Sequence, residues 1–384
     1  MRIGINALGL APGQMGGVET YFNNLIDSLQ ETDRENEYVV LLNLPQVRIL
    51  PLRNPNFSIR HFHYGNPSAR YLLRGFLKNT IGADLLTRPV DRLGLNVIHH
   101  PFTILDPINL QTPTVLTFWD MQQEYFPEFF STLELHLRKN YYRRSAEKAT
   151  HIITCASFTK NCLAEKYCID ERKISIIYPG IGKGFRPIDD GSKLEEIQRK
   201  YSLDFPFLYY PAATWPHKNH RNLLLALKIL KETRGFDGKL VLTGIPVTSG
   251  AEISRQTEVL GLKHHVISLG YLPHEELRSI YTLARLLVFP SLFEGFGIPV
   301  VEAMACGCPV ACANTTSLPE IVGDNGFLFD PYAPQDIADK VWAIWHDSSL
   351  REELRRRGLQ RSKDFDWSIA ARKTSAVYCS AAAG

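Results

Sequence analysis

The sequence predicts an α/β protein built from two doubly wound parallel-sheet domains. Three observations carry that prediction. At 384 residues the chain exceeds one ordinary core and suits two domains of roughly 150–200 residues each. Short apolar runs alternate with longer amphipathic stretches along its whole length, as expected of parallel strands covered by helices on both faces. The segment 179–187, PGIGKGFRP, packs three glycines and two prolines into nine residues and divides the alternation into two sets. The expected domains are 1–180, completed by a crossover helix at 366–384, and 181–365.

Taken in order, Arg2–Ala7 reads as the first strand, followed by a loop ending in Gly16-Gly17 and an amphipathic helix at 18–29 with Tyr21, Phe22, Leu25, Ile26 and Leu29 on one face. Further strands fall at 38–42, 57–62, 97–100, 114–118, 151–154 and 174–178. The stretch 68–93 reads as largely helical, and helices are expected at 131–149 and 157–167. Beyond the linker, strands are expected at 207–210, 239–243, 266–269, 286–289, 309–311 and 326–329. Helices at 334–346, 348–363 and 367–379 close the chain.

Composition excludes several classes of function. A formal net charge of +3, from 43 basic and 40 acidic residues, does not call for a nucleic-acid partner. No window approaches the ~18 uninterrupted apolar residues of a spanning helix. The first residues, MRIGINALGLAPG, are broken by Asn6, Gly9, Pro12 and Gly13 and read as a strand and loop rather than a leader. Seven cysteines without a Cys-x-x-Cys pair read as reduced packing residues in a cytoplasmic protein.

The most informative stretch is 286–311, LLVFPSLFEGFGIPVVEAMACGCPVA. A buried strand ends at Pro290-Ser291, a glycine-rich loop follows, and Ile298-Pro299 opens a helix, where proline's missing N–H costs nothing. Glu294 then sits at the carboxyl end of a strand and Glu302 about one turn into the helix. Each ionised carboxylate can accept a pair of hydroxyls, and the amides around Phe296, Gly297 and Ile298 present the positive end of a helix to an anion. Polyols at both ends with an anion between them describe a nucleotide-sugar. A turn glutamate with a solvated helix glutamate is the plainer alternative.

This stretch resembles the signature of the retaining glycosyltransferase family 4 of the GT-B fold, with Glu294 and Glu302 as its E-x7-E pair. Ser268–Leu272, the run 275–284, and Asn314–Glu320 (NTTSLPE) resemble further landmarks of the family in order. The resemblance implies two Rossmann-like domains facing across a cleft, with the last helix, opened by Phe365-Asp366-Trp367-Ser368, crossing back to the first. The first domain would serve the acceptor and the second the donor. Gly16 and Gly17 would approach the donor diphosphate, Lys218 would hold it, backbone at Tyr271-Leu272 would meet the base, and Glu302 the ribose. Tyr271 as a core aromatic stays open beside that role. The chain departs from the pattern twice. Ala213 stands where an Arg is usual, leaving His217 or Arg221 as substitutes, and Trp119-Asp120 replaces His-Asp, leaving Asp120 as the polar contact. His99 and His100 lie at another strand end and could line the same cleft or be structural.

The implied activity is transfer of a hexosyl group, mannosyl or deoxyhexosyl, from a nucleotide diphosphate sugar to a glycan or lipid-linked acceptor, with retention. Similarity around PAATWPHKNH to bacterial polysaccharide and O-antigen mannosyltransferases favours a GDP-sugar. Catalysis would rest on Glu294, Lys218 and Asp120, with no cofactor and no metal ion. A nucleotide-sugar epimerase on the same fold, or a non-catalytic nucleotide-sugar binding module, are the other readings. Finally, residues 48–92 carry eight basic residues against Asp84 and Asp91. Arg70, Arg74 and Lys78, four apart, would line one helix face beside Tyr71 and Leu77. A second basic stretch runs from Arg138 to Lys148. Such basic, apolar stretches read as an interfacial surface, an acceptor clamp or a plain amphipathic helix on the sheet; the first would attach the protein peripherally to the inner face of an anionic membrane.

Overall fold

The computed structural model describes residues 1–13, 15–43, 51–62, 73–77 and 84–384. The chain divides into two compact units, Met1–Gly180 with Asp366–Gly384, and Ile181–Phe365.

The first unit is a seven-stranded sheet in the order β3-β2-β1-β4-β5-β6-β7, every pair parallel. Its strands are β1 (Arg2–Asn6), β2 (Glu37–Asn43), β3 (Phe57–Phe62), β4 (Val97–His100), β5 (Thr114–Phe118), β6 (His151–Thr154) and β7 (Ile174–Ile176). β4 and β5 are buried along their whole length because helices cover both faces, and the edge strand β3 is mostly exposed or half-buried. The helix Gly17–Thr32 buries the face read from its periodicity, Tyr21, Phe22, Leu25, Ile26 and Leu29.

The closing helix Trp367–Ala383 belongs to this unit. Asp366 caps it by accepting from the N–H groups of Ser368 and Ile369. Trp367, Ala370, Ala371, Val377 and Tyr378 join one core with Tyr21, Phe22 and Leu25. Two polar bonds fix the helix along its length. Ser375 Oγ donates to Asp33 Oδ2 at 3.0 Å, and Tyr378 Oη lies 2.8 Å from His99 Nδ1. His99 Nε2 is 2.7 Å from Thr117 Oγ1, so this strand-end histidine is a fully bonded core group.

The second unit is a six-stranded parallel sheet, β10-β9-β8-β11-β12-β13. Its strands are β8 (Phe207–Pro211), β9 (Lys239–Thr243), β10 (Val266–Ser268), β11 (Leu286–Phe289), β12 (Val310–Ala313) and β13 (Phe327–Phe329). In each unit the chain first builds outward from one side of its first strand and then returns to the other side. The reversal falls between β1 and β4 in the first sheet and between β8 and β11 in the second. Such switch points are where ligands settle in open α/β sheets.

Within the stretch 68–93, read as largely helical, the described residues hold two short helical pieces. Residues 73–77 and Thr87–Asp91 are helical with a turn before the latter, while Arg70, Tyr71 and Lys78 lie outside the described residues. Arg74 does not belong to a solvent-facing basic stripe. It is buried, donating from Nε and Nη2 to both carboxylate oxygens of Asp84 at 2.7 and 2.6 Å and from Nη2 to Asp106 at 2.5 Å. A guanidinium held by two carboxylates has no charge left to offer a membrane, and the spacing of basic residues cannot reveal that Asp106 reaches it from the far side of β4.

Candidate active site

β8 and β11 are neighbours, so the loops leaving their carboxyl ends run side by side. The first, 212–219, leads into the helix His220–Thr233, and the second, 290–297, into the helix Ile298–Ala305. The loops are bonded to each other. Leu292 N–H donates to the His217 carbonyl at 2.8 Å, and Asn219 Nδ2 donates to the carbonyls of Pro290 and Pro331 at 3.1 and 2.8 Å. Asn219 has φ 58°, a left-handed conformation that asparagine tolerates better than most residues. On this frame Lys218 Nζ lies 2.5 Å from Glu294 Oε1, with the two side chains 18% and 13% exposed. The sequence gives these residues separate ligand duties, but the structure pairs them.

A third segment grips the Glu294 loop. Glu294 N–H donates to Thr316 Oγ1 at 3.1 Å, and Ser317 Oγ is 3.0 Å from the carbonyls of both Glu294 and Phe296. Thr316 and Ser317 belong to NTTSLPE, flagged in the sequence without a role; a hydroxyl-rich turn just after a strand was the available signal. Gly297 has φ 104°, and a Cβ there would sit 2.7 Å from Leu318 Cδ2, so only glycine can place this amide at the helix start. Phe296 is buried with its ring 5.7 Å from that of Phe365, which leaves only its backbone for a ligand.

Glu302 is half-buried and accepts from Tyr281 Oη at 2.9 Å. Burial pushes its carboxyl up to about 7, against a smaller downward pull from that hydroxyl. It is therefore not the plainly ionised acceptor the sequence suggests. His217 cannot stand in for the cation missing at Ala213, because burial, then the adjacent Lys218, lower its imidazole to about 4 and leave it neutral. Arg221 is exposed at the first turn of its helix.

Further along the sheet, Tyr271 is 73% exposed, so it is no core aromatic, whereas Leu272 is buried. Gly244 N–H donates to the Gly270 carbonyl at 2.8 Å, tying the loops after β9 and β10. A cavity of about 280 Å³ lies here, lined among others by Thr214, His220, Thr243, Gly244, Ser254 and Ser268. Of these, Thr243 and Ser254 were not singled out in the sequence, whereas Thr214 and His220 fall within PAATWPHKNH and Ser268 within Ser268–Leu272.

The remaining candidates lie in the first unit. Gly16 and Gly17 are exposed at the start of their helix. Trp119 donates its indole N–H to the Pro101 carbonyl at 2.8 Å and packs edge-on against Tyr21 with ring centroids 4.5 Å apart, so it serves as core wall. Asp120 Oδ1 accepts from Gln122 N–H at 3.1 Å in the turn after β5.

Residues 193–361 match the family described as Glycosyl transferases group 1, and residues 15–182 match Glycosyltransferase Family 4. The O-antigen chain mannosyltransferase B of Escherichia coli is 31% identical over 265 residues, 69% of each chain. This chain belongs to glycosyltransferase family 4. It is also 31% identical over 241 residues, 62% of its length, to the serotype-specific mannosyltransferase WbdA of Escherichia coli, but spans only 30% of that protein. The fold is shared with Anabaena HepE, solved in complex with UDP and glucose, at a TM-score of 0.75 and 18% identity over 99% of this chain and all (100%) of that one.

In this glycosyltransferase, then, the structure gathers Lys218, Glu294, Phe296, Gly297 and Ile298 at one switch point with Glu302 a turn away. The pairing of Lys218 with Glu294 has a measurable energy. Lys218→Met and Glu294→Gln should each destabilise the second unit by about 3–5 kcal/mol, since each strands a mostly buried charge. The double variant should cost less than the sum, with a coupling of about 0.5–3 kcal/mol in a double-mutant cycle by denaturant unfolding. Strictly additive losses would mean that the pair contributes nothing.

Proposed function

We propose that this glycosyltransferase moves a hexosyl group, mannosyl in the first instance, from a nucleotide diphosphate sugar to a glycan hydroxyl with retention at the anomeric carbon. The observation that carries the reading is the Lys218–Glu294 pair at the switch point of the second sheet, beside the amides at Gly297 and Ile298. A diphosphate entering there competes with Glu294 for the Lys218 ammonium. Lys218 then turns to phosphate oxygen, and Glu294 is released to accept hydroxyls of the donor sugar. The mannosyltransferase relatives support the sugar. HepE binds UDP and glucose, so both uridine and guanosine donors belong in the test.

The bond from the anomeric carbon to the diphosphate oxygen breaks, and nucleoside diphosphate leaves with the electron pair. The acceptor hydroxyl attacks from the same face, forming the new glycosidic bond and passing its proton to a phosphate oxygen of the leaving group. The role of Lys218 and the helix amides is to stabilise charge on that leaving group. Asp120, and Gly16 with Gly17, are the first unit's contributions in this scheme. Glu302 would accept the ribose hydroxyls once ionised.

The acceptor side suggests a lipid-linked glycan at an anionic membrane. No described helix is long and apolar enough to cross a bilayer. The helix Thr132–Lys148, however, buries only Ser145 and Ala146. Leu133 and Leu137, one turn apart, are 68% and 43% exposed, and Lys139, Arg143, Arg144 and Lys148 are exposed around them. Apolar anchors among basic residues suit an anionic surface, each nearby cation adding about 1 kcal/mol.

Three outcomes are expected. Purified protein given GDP- and UDP-hexoses with mannan-type acceptors should release nucleoside diphosphate and extend the glycan, and Glu294→Gln should slow this by about 10²-fold. A new nucleotide-sugar would identify an epimerase, and no turnover with any donor a binding module. Nucleotide affinity should rise as pH climbs from 5 toward 7 and level off above, because bound hydroxyls favour the ionised form of a carboxyl whose free value is about 7. Glu302→Gln should flatten that profile in calorimetry; an unchanged slope would remove Glu302 from the ribose. Vesicles rich in phosphatidylserine should pull the protein down at low salt but not at high salt, and Leu133→Glu with Leu137→Glu should abolish this. Equal sedimentation of wild type and variant would locate any membrane contact elsewhere.

A further inference from the structure

The turn after β12 puts three successive hydroxyls on the Glu294 loop. β12 ends at Ala313, and Leu318 opens the helix Leu318–Val322. Between them, Thr315 Oγ1 donates to the Ser291 carbonyl at 3.3 Å. The next two hydroxyls divide the main chain of Glu294. Thr316 Oγ1 accepts from its N–H at 3.1 Å, and Ser317 Oγ donates to its carbonyl at 3.0 Å.

That division sets a geometric problem. Consecutive side chains of an extended chain point to opposite sides, so neighbours at 316 and 317 reach one residue only if the chain turns between them. The turn is made at Thr316, whose φ is 54°. A β-branched residue is a true outlier in that left-handed region, because its Cβ substituents crowd the backbone. Asn219, at φ 58°, carries a smaller penalty, since asparagine tolerates the region. Glycine would adopt the Thr316 conformation freely, but it would leave the Glu294 N–H without its acceptor. The chain therefore carries a strained backbone and a hydroxyl together, where the unstrained residue has no hydroxyl. Such strain persists only where the surroundings over-determine it. Here the fully buried Ser317 does so, with Leu318, whose Cδ2 leaves room only for glycine at 297.

What this clamp controls is the aim of a side chain. With its N–H and carbonyl both bonded, Glu294 has a fixed Cα–Cβ direction, and its carboxylate meets the Lys218 ammonium at 2.5 Å. The three hydroxyls differ in what they hold. Thr315 acts three residues upstream, and Ser317 is shared with the Phe296 carbonyl at 3.0 Å. The Thr316 bond is made to Glu294 itself.

We propose that Thr316 is a positioning residue: its hydroxyl, carried on a left-handed backbone, aims the Glu294 carboxylate at Lys218 and, during turnover, at the donor sugar. The second duty rests on the transferase reading; the first does not.

The test uses the full chain and three variants. Thr316→Gly removes strain and hydroxyl together, Thr316→Ser keeps the hydroxyl, and Thr315→Ala removes the neighbouring bond. Without substrate, acetylation of Lys218 by acetic anhydride is followed by peptide mass spectrometry, because the paired carboxylate shields the ammonium from reagent. Thr316→Gly should be labelled there about threefold faster or more, with Thr316→Ser and Thr315→Ala matching wild type. Thr316→Gly should melt within about 4 °C of wild type, since relief of the backbone offsets the lost bond. With a donor that wild type turns over, its kcat should fall about tenfold or more while nucleoside diphosphate binding is not weakened. Equal labelling of wild type and Thr316→Gly, a serine that fails to restore the wild-type rate, or the same change in Thr315→Ala overturns the positioning role. So does a large loss of melting temperature in Thr316→Gly, which would make the turn a structural brace. Faster labelling of Thr316→Gly in a protein whose wild type releases no nucleoside diphosphate from any donor would support the aim of Glu294 and refute the transferase reading.

Discussion

Lys218 and Glu294 are 76 residues apart in sequence, and they meet because two loops are hydrogen-bonded to each other before any side chain is considered. The Leu292–His217 and Asn219–Pro290 bonds fix the distance between the carboxyl ends of β8 and β11. Thr316 and Ser317 then hold the glutamate loop from its other side. Without that frame, two mostly buried opposite charges would be an expense, since desolvation would cancel much of their attraction. With it, each charge of the pair satisfies the other at the carboxyl ends of two neighbouring strands.

The same frame explains why two glutamates eight positions apart behave differently. Glu294 faces an ammonium, whereas Glu302 faces the phenol of Tyr281, within a wall that also includes Tyr209. A hydroxyl offsets only part of the cost of burial, so Glu302 titrates near neutrality.

Much of this was legible in the sequence because the relevant physics is local. Strands covered on both faces carry short apolar-rich runs bounded by turn residues, so 97–100, 114–118, 239–243 and 286–289 could be read to the residue. Gly297 and Pro299 declare a loop turning into a helix. What escaped is what depends on partners distant in sequence. Nothing near Arg74 announces that Asp106 will reach it, and nothing near Trp119 shows that Pro101 will take its N–H. Nor does a count of cations reveal that His217 is held neutral by burial beside Lys218. The roles of Thr316, Ser317 and Tyr281 were invisible for the same reason, since each acts on a loop or helix that the chain reaches through a crossover.

The closing helix imposes an order on synthesis. His99 and Tyr378 are 279 residues apart. At about 5–20 residues per second, a ribosome makes the phenol on the order of 15–55 seconds after the imidazole. During that interval the first sheet has emerged but Tyr21, Phe22 and Leu25 lack the surface that Trp367, Ala371 and Tyr378 later cover. The second unit is contiguous and can complete itself in the meantime. The amino-terminal half of this enzyme is thus made first and finished last, and while it waits it is a natural client for chaperones.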